Sequence, residues 1–100
     1  MVALLADFLE PWADDITITE PAPGRLNLVA RFNGLDRTRS YALEAHSDTV
    51  GIAGMTIDPF AAKVLDGKLH GRGACDTKGP MTSMLLALLR YVRDHGRPPV

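Results

Sequence analysis

Gly71-Arg72-Gly73-Ala74-Cys75-Asp76-Thr77-Lys78-Gly79-Pro80 decides how this chain folds, because it closes one element and opens the last helix. Gly71 and Gly73 permit positive φ and close backbone approach, so they can build a tight, non-repeating turn. Pro80 suits the first helical turn, and Gly96 suits the position just past the helix end. Between them Met81, Met84, Leu85, Leu88, Leu89 and Val92 recur at helical spacing and form one apolar stripe. Arg90 and Arg93 complement the negative end of that helix. Asp76 stands just ahead of the helix, where a carboxylate is favoured electrostatically. By local chemistry it reads equally well as a helix cap or as a metal ligand. A phosphate loop is excluded, since the Walker spacing is absent and Lys78 is followed by Gly79.

Upstream, residues 62–65 and 68–70 flank Asp66-Gly67, a strong two-residue hairpin signal. Residues 50–60 contain Gly51, Gly54 and Pro59 with little periodicity and read as a long loop, the kind that often carries function. Residues 40–45, with Tyr41, Ala42, Leu43 and Ala45, read as a buried strand. His46-Ser47-Asp48 ends that strand. A period of two puts His46 and Asp48 on one side and Ser47 on the other. A neutral imidazole is a good zinc ligand, and ligating histidines usually donate their other N–H to a carboxylate, a part Asp48 could play. Taken alone, His-x-Asp reads more readily as a surface turn with an incidental hydrogen bond.

At the N-terminal end Leu4, Leu5, Phe8 and Leu9 predict a helix over residues 2 to about 10, stopped by Pro11. Residues 16–19 and 26–32 alternate as strands, with Pro21, Pro23 and Gly24 punctuating the turn between them. The order is helix, strands, loop, hairpin, helix. It predicts an α/β fold in which a mixed sheet is flanked by helices.

Composition narrows the function. Twelve acidic and eleven basic residues nearly cancel, leaving no basic footprint for nucleic acid or an anionic membrane. The single cysteine, Cys75, excludes an internal disulfide and a cysteine-based zinc motif, and fits a reducing cytoplasm. The first residues lack the basic start of a signal peptide, and no apolar run approaches the roughly 20 residues of a membrane span. Cys75 reads as a small buried filler, Trp12 and the methionines as core, His70 as a hairpin side chain, and His95 as a partner of the helix end.

His46-Ser47-Asp48-Thr49-Val50, Asp58-Pro59-Phe60 and the run from Asp66 through Gly79 together closely resemble one family. It is the acetylornithine deacetylase, succinyl-diaminopimelate desuccinylase and carboxypeptidase G family of dinuclear zinc hydrolases. The segment Pro23-Gly24-Arg25-Leu26-Asn27-Leu28-Val29-Ala30 resembles the strand entry of that family, and the likeness runs from about residue 23 to residue 89.

The resemblance implies a partial zinc-peptidase-like catalytic domain. Residues 1–100 would form its N-terminal part, with the lid and dimerisation domain absent. His46 would ligate one zinc, Asp76 would bridge two, and Asp48 would orient His46 as a catalytic residue. The peptide Asp76-Thr77 would be cis. The cofactors implied are two Zn2+ ions, with Co2+ as a substitute, polarising a scissile amide carbonyl and activating water. The substrate implied is a small-molecule N-acyl amino acid or peptide, cleaved by a cytoplasmic, acetylornithine deacetylase-like amidohydrolase. A desuccinylase or a metallo-carboxypeptidase or dipeptidase of the same family is the alternative. Homodimers are expected only of the full-length parent. No glutamate follows Glu44, so a glutamate base and the further ligands would lie past Val100. A different class of reading takes the chain as a non-catalytic truncated domain or an interaction module.

Overall fold

Helix α1 occupies Val2–Leu9 and buries Leu9 to 2% exposure. It ends as Pro11 requires. The Glu10 N–H still bonds to Ala6 O at 2.9 Å, while the N–H groups of Trp12 and Ala13 both turn back to Leu9 O at 2.9 Å. The computed structural model describes Met1–Val100.

Strands β1 (Asp15–Ala22) and β2 (Arg25–Arg31) form an antiparallel hairpin, in register from Asp15 opposite Arg31 to Thr19 opposite Asn27. The register shifts between Thr19 and Ala22, which lets Pro21 sit inside the strand. Gly24, at φ 72°, makes the turn and donates its N–H to Glu20 Oε1 at 2.7 Å. The open end is tied twice. Asp14 N–H bonds to Arg31 O at 2.8 Å, and the Asn33 N–H donates to Asp14 Oδ2 at 2.7 Å.

Strands β3 (Lys63–Leu65) and β4 (Lys68–His70) form a second antiparallel hairpin. Asp66 (φ 49°) and Gly67 (φ 73°) are both left-handed, as the Asp-Gly pair predicts. Helix α2 spans Gly79–His95, and Gly96 closes it at φ 78° with its N–H on Val92 O at 2.8 Å. Met81 and Leu89 are its buried positions; Met84, Leu85, Leu88 and Val92 are half-buried. No helix is long and apolar enough to cross a membrane.

The α/β class stands, with both sheets two-stranded and antiparallel. Residues 40–45 depart from expectation. They form no strand, and Tyr41 and Leu43 are 80% and 51% exposed. A strand is held by its ladder and by packing of its side chains. Each hairpin is complete in itself, so this segment has no strand to pair with. Trp12, expected in the core, is exposed, as is Met1.

The chain divides into two units, Met1–Ala42 with Ala87–Val100, and Leu43–Leu86. The first holds α1, the β1–β2 hairpin and the end of α2. Its C-terminal prolines accept backbone bonds, Leu35 N–H to Pro98 O at 2.9 Å and Asp36 N–H to Pro99 O at 3.1 Å. The second holds His46, the loop over residues 50–60, the β3–β4 hairpin and the turn into α2. All the residues expected at the site belong to it.

Candidate metal centre

The turn between β4 and α2 is built by backbone contacts. Arg72 N–H bonds to Pro59 O at 2.8 Å, Ala74 N–H to Gly71 O at 3.2 Å, and Lys78 N–H to Gly73 O at 2.9 Å. Gly73 is buried and left-handed at φ 79°. Asp76 (φ −118°, ψ 97°) and Thr77 (φ −134°, ψ 17°) break from helical geometry, and the peptide between them is cis. The kink turns the Asp76 side chain outward, where it is 83% exposed. Asp76 takes its side-chain hydrogen bond from an imidazole rather than from the start of α2.

That imidazole is His46. Its Nε2 lies 3.0 Å from Asp76 Oδ1 across thirty residues of sequence. Its Nδ1 lies 3.1 Å from the backbone carbonyl of Asp48, with Asp48 Oδ1 at 3.3 Å. Sequence reasoning anticipated the carboxylate of Asp48 at the imidazole. The structure adds the carbonyl of the same residue, which makes the hydrogen bond. The Asp48 carbonyl, followed by the Asp76 carboxylate, raises the His46 pKa above its ordinary value, with desolvation opposing them. In the protonated ring each nitrogen donates to an oxygen.

A divalent cation suits the same place. The proton on Nε2 sits between an imidazole nitrogen and a carboxylate oxygen, the donor pair that zinc accepts. An Nδ1–H held by a carbonyl leaves the Nε2 lone pair directed at Asp76. The two donors therefore fit one ion as part of its ligand set. No group of three or more His, Cys, Asp or Glu side chains gathers in the chain. Asp48 does not supply a third donor, since it stands at the opposite ring nitrogen.

Beside Asp76 lies a concavity of about 150 Å³, lined by Thr49, Val50, Arg72 and Cys75 among others. Arg72 and Thr49 escaped the sequence reading; the one signal for Arg72 is its place between two glycines. Its Nε is buried without an acceptor. Cys75 is exposed rather than a buried filler, because the irregular turn carries it outward. His70 pairs with Lys63 across the β3–β4 hairpin, away from any ligand cluster. His95 stacks at a tilt against Tyr91, with centroids 4.8 Å apart.

Comparison with known proteins adds the family. Residues 42–100 match Peptidase family M20/M25/M40. The succinyl-diaminopimelate desuccinylase of Rhodospirillum centenum is 35% identical over 83 residues, covering 79% of this chain and 21% of the relative. That of Beijerinckia indica is 40% identical over 79 residues, covering 76% and 20%. That of Ruthia magnifica is 41% identical over 58 residues, covering 55% and 15%. The chain thus spans about a fifth of the length of the curated relatives it matches. No solved structure matches it. The match over residues 42–100 takes in both arms of the His46–Asp76 pair, and the chain belongs to Peptidase family M20/M25/M40.

Proposed function

We propose that this chain carries part of the active site of a metal-dependent amidohydrolase that cleaves the acyl–nitrogen bond of an N-acyl amino acid. The observation that carries the reading is the 3.0 Å approach of His46 Nε2 to Asp76 Oδ1. His46 and Asp76 are the metal ligands, and Asp48 holds the imidazole in register through Nδ1. When bound, two zinc ions, or cobalt in their place, supply Lewis-acid polarisation of the amide carbonyl and activation of water at neutral pH. Asp76 would hold the metal through its carboxylate, which its exposure leaves accessible. His46 would hold the metal through Nε2 in its neutral form.

The names of the relatives favour a succinyl group over acetyl as the acyl moiety. On this reading the remaining ligands, the general base and any subunit pairing come from the rest of the full-length enzyme, which works in the cytoplasm. By itself the chain is inactive, since two donors do not complete a two-metal site.

The test is hydrolysis of N-succinyl and N-acetyl amino acids by the full-length protein, before and after chelation and after zinc is restored. Hydrolysis abolished by the chelator and recovered with zinc supports the reading. Hydrolysis of neither substrate, or hydrolysis indifferent to chelation, sinks it.

A further inference from the structure

Two segments distant in sequence carry His46 and Asp76, and they come close at a second place, where Thr49 and Gly73 line one concavity. Gly73 precedes Asp76 by three positions, and Thr49 follows His46 by three. Gly73 is buried, and a Cβ built on it would stand 2.8 Å from Thr49 Cγ2 and 3.3 Å from Lys78 Cδ and Cε. The lysine contact is with a long, flexible stem that can give way. The Thr49 contact is with a short, β-branched side chain, which yields chiefly by moving its backbone. That backbone also carries His46.

We infer that the Thr49–Gly73 contact is the spacer that sets the separation of His46 and Asp76, making Gly73 and Thr49 positioning residues for the metal pair. The absence of a side chain at position 73 lets the two segments close until imidazole and carboxylate face each other. A methyl group there drives Thr49, and His46 with it, away from the turn. A metal site needs its ligands held within about half an ångström, so a small displacement suffices to weaken binding. This inference rests on the proposal that His46 and Asp76 are ligands.

The experiment uses the full-length protein, with zinc affinity by competitive titration and the visible spectrum of the Co2+-substituted form as readouts. Thr49→Ile keeps the Cγ2 that faces Gly73 and adds a Cδ1 methyl on the branch that replaces Oγ1, bulk that the closed segments must accommodate, without touching the backbone of Gly73. It should weaken zinc binding about ten-fold or more and shift the cobalt bands. Gly73→Ala should do the same, although alanine at φ 79° adds strain of its own. In that background Thr49→Ala, which removes Cγ2, should recover most of the lost affinity. Thr49→Ile with unchanged affinity and spectrum overturns the inference, and so does loss in Gly73→Ala without recovery by Thr49→Ala. If Gly73→Ala fails to fold, the Thr49→Ile arm decides alone. Should the protein bind no zinc at all, the ligand reading has failed separately. Crystal structures of the metal-free wild type and Thr49→Ile then decide the spacer, whose role requires His46 Nε2 and Asp76 Oδ1 to move beyond hydrogen-bonding distance in the variant.

Discussion

His46 and Asp76 meet at 3.0 Å although thirty residues separate them, and each is placed by a different device. His46 is fixed by a local bond to the carbonyl of Asp48. Asp76 is fixed by a turn whose backbone bonds and left-handed glycine leave little freedom. Two segments ordered independently can present an imidazole and a carboxylate to one cation.

The two contacts of Asp48 with the imidazole differ in what a substitution removes. Asp48→Asn keeps the carbonyl bond at Nδ1 and removes only the charge at 3.3 Å. Zinc should remain bound at full stoichiometry when saturating, with affinity lowered about ten-fold, at the low end of what outer partners of a ligand contribute. Competitive zinc titration checks this. Complete loss of binding would show that the carboxylate has a larger part.

Without metal, His46 should titrate above its ordinary value of 6.5, since the Asp48 carbonyl and the Asp76 carboxylate both favour the cation. The sign is that of a raised pKa. The contribution to stability is present below the unfolded value and is lost as pH rises through the higher folded value. Metal competes with the same proton, so zinc affinity should fall as pH drops through that folded value. A ring-proton NMR titration of the apo-protein should give a midpoint above 6.5, moved down by Asp76→Asn. A midpoint at or below 6.5 would contradict the geometry.

Asp14 should behave in the opposite sense. The Asn33 N–H bonded to its carboxylate holds its pKa below the ordinary 3.8, with minor help from Arg97 and Arg37. Its contribution to the β1–β2 hairpin is present above the unfolded value and fades as pH falls through the depressed one. Hydrogen exchange at the Asn33 amide should therefore speed up relative to neighbouring amides in Asp14→Ala at neutral pH. Exchange equal to wild type would show that the bond does not tie the hairpin.

Local signals in the sequence were sufficient for most of the elements. Asp66-Gly67 specified its turn because both positions need positive φ. Pro80 and Gly96 bounded α2 closely, and Pro11 stopped α1. Residues 40–45 failed because a strand is a property of a pair, and apolar composition cannot supply the partner. The length of β1 was missed because Pro21 reads as a breaker, while a register shift accommodates it.

The site was legible in parts. The motifs singled out His46, Asp48 and Asp76, which the structure brings together, and gave no sign of the exposed concavity beside them. Thr49 and Arg72 acquire meaning only from the approach of two segments, which no local pattern encodes. Cys75 was misplaced for the same reason. Burial was inferred from residue type, whereas the kinked turn decides it.

The most direct measurement is the metal content of the purified full-length protein by plasma mass spectrometry, in wild type, His46→Ala and Asp76→Ala. Wild type should hold about two zinc equivalents per chain, and each variant should lose at least one without loss of fold by circular dichroism. Wild-type metal content in both variants would contradict the reading of His46 and Asp76 as ligands.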